Sequence, residues 1–270
     1  MSEGVPPQVL TLFARFVEEK TGLHHSERDR ELFAQKLADH ASERGFESVL
    51  ELYYDLRYED PDGRQLDALV DALVVGETYF FREQRGLEAW LEPVIAKAKR
   101  GERARVWSAA CATGEETVSI AILLDRAGVL DSVDLVATDI SPRALDRARR
   151  GDYGRRALRA IPDGAPPWIR VASDRAVVDA ALREKIDWRR LNLADGEAVA
   201  ALGSFDAIAC RNVLIYFDDA VVRKVVTSLG KALRPGGELL IGASESLLRF
   251  GSLFHCIERN GAFLYRLENA

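Results

Sequence analysis

The sequence lacks most of the features that mark specialised classes of protein. Its three cysteines, Cys111, Cys210 and Cys256, are odd in number and far apart, which excludes a disulfide framework and a C-x-x-C metal site. They read as reduced core thiols. The four histidines, His24, His25, His40 and His255, show no metal-ligand spacing with acids or cysteines, so no metal is expected. No apolar run approaches bilayer length, and the opening MSEGVPPQ lacks the basic-then-apolar profile of a secretory leader. A cytoplasmic protein without direct membrane insertion is therefore expected. Basic residues form no run: 37 Lys and Arg interleave with 43 Asp and Glu, for a net charge of -6, which weighs against a nucleic-acid partner. The absence of G-x-G-x-x-G argues against a dinucleotide dehydrogenase, and there is neither an internal repeat nor a low-complexity tract.

What is present is 47% hydrophobic residues spread over 270 positions, enough for one large core or one core with a smaller partner. From Pro6 to about Val75 apolar residues recur at helical spacing: Val9, Leu12, Phe13, Phe16 and Val17, then Leu32, Phe33 and Leu37, then Leu66, Leu69, Val70, Leu73 and Val74. Ser26 with Asp29 gives a capping-box-like start to the second main helix. Residues 1–75 thus read as a small all-helical domain and 76–270 as a second domain. In the latter, Leu87, Trp90, Leu91, Val94 and Ile95 mark a further helix. Beyond Gly101, strand-like runs at Arg105–Ala110, Val133–Thr138, Phe205–Cys210 and Glu238–Ala243 alternate with helical patterns near 115–128, 142–150 and 219–233. That alternation predicts an α/β, Rossmann-like parallel sheet covered by helices.

Two stretches depart from the alternation. LFHCIERNGAFLYRL is a hairpin turned at Asn260-Gly261, which puts an antiparallel last strand into the sheet, a feature of the S-adenosylmethionine-dependent methyltransferase fold. Residues 151–191 hold Pro162, Gly164, Pro166 and Pro167, then WIRVAS, RAVVDA and IDWRRL. They read as a small inserted antiparallel β-subdomain, at about 155–191, before the sheet resumes at Asn192.

Four constellations carry the chemistry. VWSAACATGEE (Val106–Glu116) runs from strand through small residues into a helix, where backbone can approach a ligand closely. Glu115 and Glu116 would repel a phosphate there and suit a cationic ligand, such as the sulfonium and amino groups of S-adenosylmethionine. Asp139, at the end of the next strand, is placed either to accept hydrogen bonds from ribose hydroxyls or, like Ser141, to cap the helix after it. FDAIACRNVLIYF (Phe205–Phe217) exposes Arg211, Asn212 and Tyr216 beyond the carboxyl end of a strand, where open α/β sheets bind ligands. GETYFFRE (Gly76–Glu83) reads either as interface packing or as a linker folding over a cofactor, with Thr78 and Arg82 in the cleft.

Taken in order, T-x-F-F-R-E, S-A-A-C-x-T-G-E-E, T-D-I-S, N-L and C-R-N-V-x-I-Y-F resemble the CheR-type chemotaxis receptor methyltransferases, and PGGELLIGASESL (Pro235–Leu247) is similar to the segment ending that family's catalytic domain. The likeness covers about residues 60–267. It implies that Thr78, Arg82, Glu116, Asp139, Asn192, Leu193, Arg211 and Asn212 line an S-adenosylmethionine pocket. It also implies that Arg82 and Tyr216 flank the transferred methyl group. The implied reaction is methyl transfer to glutamate side chains on the cytoplasmic helical domain of chemoreceptors, by a monomer, with S-adenosylhomocysteine as product. Another acceptor, or a non-catalytic regulatory module, are the alternatives.

The chain departs from the family at Gly76, where Asn is frequent, and at Gly242-Ala243-Ser244, where Gly-His-Ser is frequent. Its helical domain carries Arg28, Arg30, Lys36 and Arg44 diluted by Glu27, Asp29, Glu31, Asp39 and Glu43, where the family has a strongly basic helix. WIRVASDRAVVDA lacks a glycine-rich loop, so no tethering peptide is expected.

Overall fold

The computed structural model describes residues 5–74, 76–161, 166–250 and 254–267. Val75, Pro162 and Gly164 of the stretches above lie outside them. The chain divides into two compact units, Met1–Val75 with Tyr216–Asp218, and Gly76–Ile215 with Asp219–Ala270.

The first unit holds four α-helices among the described residues: α1 (Pro7–Thr21), α2 (Arg30–Glu43), α3 (Val49–Tyr54), which runs on as a π-helical turn over Asp55–Glu59, and α4 (Arg64–Leu73). Their apolar stripes meet in one core of Phe13, Phe16, Leu37, Leu52 and Leu69, all nearly inaccessible. Ser26 does not cap α2; its hydroxyl donates to Asp29 at 2.6 Å, and a short 3₁₀ turn, Glu27–Asp29, leads into the helix. Leu23 forms an antiparallel bridge with Phe217, and the His24 N–H donates to the Tyr216 carbonyl at 2.8 Å.

The second unit runs α5 (Gln84–Lys99), β1 (Ala104–Ala109), α6 (Glu115–Arg126), β2 (Val133–Asp139), α7 (Pro142–Arg150), β3 (Asp152–Gly154), β4 (Ile169–Ala172), β5 (Arg175–Val178), α8 (Ala180–Arg183), β6 (Ile186–Arg190), α9 (Gly196–Ala201), β7 (Phe205–Cys210), α10 (Asp219–Ala232), β8 (Leu233–Leu240), β9 (Phe254–Arg259) and β10 (Ala262–Leu267). Seven strands form one sheet in the order β6-β2-β1-β7-β8-β10-β9, with β10 antiparallel to both neighbours. Asn260 (φ 52°) and Gly261 (φ 77°) make the tight β9–β10 turn. Glu238 on β8 is buried against Arg259 and Arg266 of that hairpin at 2.7 Å each. Burial opposes its charge, but the two guanidiniums prevail and hold its carboxyl below the usual range.

The insertion is smaller than the sequence suggests. β3, β5 and β4 do form a three-stranded antiparallel sheet. Ile186–Arg190, however, is β6, paired parallel to β2 at the edge of the main sheet, so that sheet resumes six residues before Asn192. An edge strand with one buried residue, Ile186, carries no apolar run to announce it.

Local chemistry fixes the helix ends. Ser141 accepts from the Ala144 N–H at 2.9 Å, Pro142 starts α7, three arginines fill its last turn and Gly151 closes it at φ 66°. Trp107 and Trp90 are wholly buried with their indole N–H groups satisfied by Thr138 Oγ1 (2.9 Å) and the Glu238 carbonyl (3.2 Å). Among the described residues no helix is long and apolar enough to cross a membrane.

Candidate functional site

Register brings the candidate residues level. Ala109, the last residue of β1, lies opposite Thr138 on β2 and Cys210 on β7, and Asp139 lies opposite Arg190 on β6. The chain therefore leaves four neighbouring parallel strands at one edge of the sheet, carrying loops 110–114, 140–141, 191–195 and 211–215. These hold Asn192, Leu193, Arg211 and Asn212, with Asp139 ending the strand before the second and Glu116 just beyond the first. Sheets of this kind bind ligands beyond such an edge.

The first loop is held in unusual backbone. Ala110 (φ 55°), Ala112 (φ 49°) and Gly114 (φ 90°) are all left-handed. At about 1–3 kcal/mol for each non-glycine residue, such strain persists only where surroundings impose it. The Asp139 carboxylate supplies part of that: one oxygen accepts from the Ala112 N–H (2.8 Å), the other from the Ser141 N–H (2.9 Å). Since Ser141 caps α7, Asp139 is free of that role and instead ties the β1 and β2 loops together. Gly114 has no room for a side chain, because a Cβ would lie 2.7 Å from the Ala148 Cβ and 2.9 Å from the Trp188 ring.

The two glutamates part company. Glu115 is buried and receives a hydrogen bond from Thr113 (2.6 Å), and burial raises its carboxyl above the usual range. Glu116 instead accepts from Ser108 and from Arg211, both at 2.8 Å. Arg211 is itself buried and also reaches the Glu83 carboxylate and the Arg82 carbonyl, both at 2.9 Å. Burial works against the Arg211 charge, yet Glu116 and Glu83 more than offset it. Its Nε is buried without a partner among the described residues.

Asn212 is left-handed at φ 57°. A residue that the sequence motifs did not single out holds it there. Glu245 accepts from the N–H groups of Asn212 (2.7 Å), Gly242 (2.8 Å) and Leu214 (2.9 Å), although burial still raises its carboxyl. Gly242 is required beside it, since a Cβ would lie 2.4 Å from Asn212 Nδ2. The side-chain oxygen of Asn192 accepts from the Ala194 N–H at 2.9 Å, and Leu193 is buried. Thr78 and Arg82 lie partly exposed on the segment before α5, with the Arg82 guanidinium 5.8 Å from the Tyr79 ring centre. Tyr216 groups with the first unit. Gly76 is exposed, and a Cβ there would meet nothing within 4 Å.

Cysteine chemistry does not fit this edge: burial lifts the Cys111 and Cys210 thiols well above their ordinary range, which disfavours the thiolate. A cleft of about 390 Å³ opens at the opposite end of β1 and β2, lined by Arg103, Arg105, Asp131, Asp134, Lys185 and Asp187. Its Arg103–Asp134 and Lys185–Asp131 pairs already satisfy one another. The carboxyl edge is different in kind, with Asp139, Glu116, Glu83 and Glu245 outnumbering Arg211 and Arg82. Acidic groups, left-handed loops and close backbone suit a cationic nucleoside better than a pyrophosphate.

Comparison with known proteins agrees. Residues 76–263 match the family model described as the CheR methyltransferase, SAM binding domain. Chemotaxis protein methyltransferase 2 of Vibrio cholerae is 36% identical over 264 residues, covering 91% of this chain and 88% of the relative. Chemotaxis protein methyltransferase 1 of Pseudomonas aeruginosa is 33% identical over 269 residues, covering 95% and 97%. The chain belongs to the CheR family of S-adenosylmethionine-binding chemotaxis methyltransferases.

Proposed function

We propose that this chain methylates glutamate side chains on the cytoplasmic helical domain of a chemoreceptor. The observation that carries the reading is the acidic, backbone-tight edge formed by Asp139, Glu116, Arg211 and Asn212, on a chain whose relatives are named chemotaxis methyltransferases. Asp139, Glu116, Asn192, Leu193, Arg211, Asn212, Thr78 and Arg82 are the residues proposed to hold S-adenosylmethionine. The bound cofactor supplies an electrophilic methyl group on a sulfonium.

A glutamate side chain has a reference pKa of about 4.3 and is already a nucleophile near neutral pH. No general base is required. The protein's task is alignment and exclusion of water. In this reading Asp139 receives the ribose hydroxyls, while Arg82 and Tyr216 orient the acceptor carboxylate by hydrogen bonding.

The test is transfer of labelled methyl from S-adenosylmethionine to receptor cytoplasmic fragments from the same organism, followed by mild base. Label released as methanol, and abolished by Glu→Ala changes at the acceptor positions, is the expected result. Base-stable label, or none on any receptor fragment, would overturn the glutamate assignment.

A further inference from the structure

Arg82 sits between two left-handed residues, Phe81 (φ 58°) and Glu83 (φ 54°). A phenylalanine in that region is an outlier that its surroundings must impose. Two anchors do so. The Phe81 N–H donates to Ser119 Oγ at 2.9 Å, and Ser119, wholly buried on α6, donates its own proton to the Glu115 carbonyl at 2.6 Å. On the other side Arg211 donates to the Arg82 carbonyl and the Glu83 carboxylate. The backbone on both sides of Arg82 is thereby fixed. Among the described residues the side chain itself makes only long contacts: 3.5 Å to the Glu77 carbonyl, 4.0 Å to Glu83 and 5.8 Å to the centre of the Tyr79 ring.

Ser119 is a polar residue near the start of the otherwise apolar run VSIAILL. For α6 alone, alanine would serve better, having the higher helix propensity and no buried hydroxyl to satisfy. What alanine cannot do is accept a hydrogen bond from Phe81. We propose that Ser119 is a positioning residue: its hydroxyl imposes the turn at Phe81 and so aims the Arg82 guanidinium at the acceptor carboxylate. This rests on the role given to Arg82 under the proposed function.

Ser119→Ala and Ser119→Thr are compared with the parent enzyme, each saturated with cofactor. Alanine is expected to lower kcat at least tenfold while acceptor KM and S-adenosylhomocysteine affinity stay within twofold. Threonine, which keeps the hydroxyl, restores most of kcat. In an Arg82→Ala background, Ser119→Ala has no further effect on kcat. Independently of turnover, ¹⁵N relaxation of the Arg82 Nε–H in the S-adenosylhomocysteine complex reports a more mobile side chain in Ser119→Ala than in the parent or Ser119→Thr. Should alanine prevent folding, Ser119→Cys, a similar volume with a weaker acceptor, is expected to shift both readouts in the same direction.

An unchanged kcat with an unchanged Arg82 signal overturns the proposal. So does a loss of cofactor affinity in step with kcat. If the parent enzyme methylates no receptor fragment, the functional reading falls, and the Arg82 signal alone still decides whether Ser119 positions it.

Discussion

Replacing Glu245 with glutamine keeps the side-chain volume and removes one acceptor from a cage of backbone donors that includes Asn212, Gly242 and Leu214. One carboxylate oxygen takes the N–H groups of both Asn212 and Gly242, and the other takes that of Leu214. Glutamine's single carbonyl best serves the two-donor side, which turns its NH₂ toward the Leu214 N–H, donor against donor. Stranding that buried N–H costs about 1–3 kcal/mol, and the two surviving bonds weaken as a charged acceptor becomes neutral, by roughly 1 kcal/mol each. Relief from burying a carboxyl whose ionisation is already disfavoured offsets part of this. The net expectation is a loss of about 2 kcal/mol, or roughly 4–8 °C in the melting temperature of a unit this size. Asn212 depends on the same cage for its left-handed backbone, so S-adenosylhomocysteine affinity is expected to fall about tenfold, from about 1.4 kcal/mol of lost binding. Calorimetric unfolding and titration calorimetry, run on both proteins at the same pH, measure both. A melting temperature within 1 °C of the parent together with unchanged affinity would refute the idea that Glu245 shapes the β7 loop.

Other substitutions probe the remaining parts. Arg82→Ala and Tyr216→Phe are expected to lower kcat by one to several orders of magnitude, more than either lowers S-adenosylhomocysteine affinity; parent rates in either variant remove that residue from the mechanism. Gly114→Ala forces a Cβ into contact with Ala148 and Trp188 at φ 90°, and should cost about 3 kcal/mol from strain and overpacking, seen as a lowered unfolding midpoint. Gly76→Asn meets open space, so stability should stay within about 0.5 kcal/mol, while cofactor affinity rises if the side chain common in the family makes its contact. His25, stacked on Phe33 at 3.9 Å, is pushed down to about 4 by burial, with Lys36 adding to the effect and Asp29 opposing it. A histidine held below its ordinary value contributes stability that is present above about pH 6.5 and is lost as pH falls toward 4. His25→Phe should therefore flatten the decline of melting temperature between those values; an unaltered decline assigns it to other groups.

The sheet was legible where its strands are buried on both faces, because β1, β2 and β7 must then be apolar runs, and each was found to within a residue or two. β6 was not, since an edge strand reading IDWRR buries only Ile186. The start of β8 was hidden by Pro235-Gly236-Gly237, residue types that strands seldom hold but that here lie within the strand, next to a register shift opposite Phe205–Ala207.

Motifs marked the site's polar loops, yet they gave no role to Glu245, though PGGELLIGASESL spans it, or to Ser119, and the reason is physical. Each accepts from at least one backbone N–H more than thirty residues distant, and a backbone donor leaves no trace in the sequence. What does leave a trace is the cost: a buried carboxylate or hydroxyl is retained only with partners. A serine inside VSIAILL and a glutamate among small residues after a strand are thus each a signal that some distant segment is being held. In this chain the segments held are those carrying Arg82 and Asn212. Left-handed residues that no glycine relieves and polar groups whose local partner leaves acceptor capacity over occur together because each supplies what the other needs.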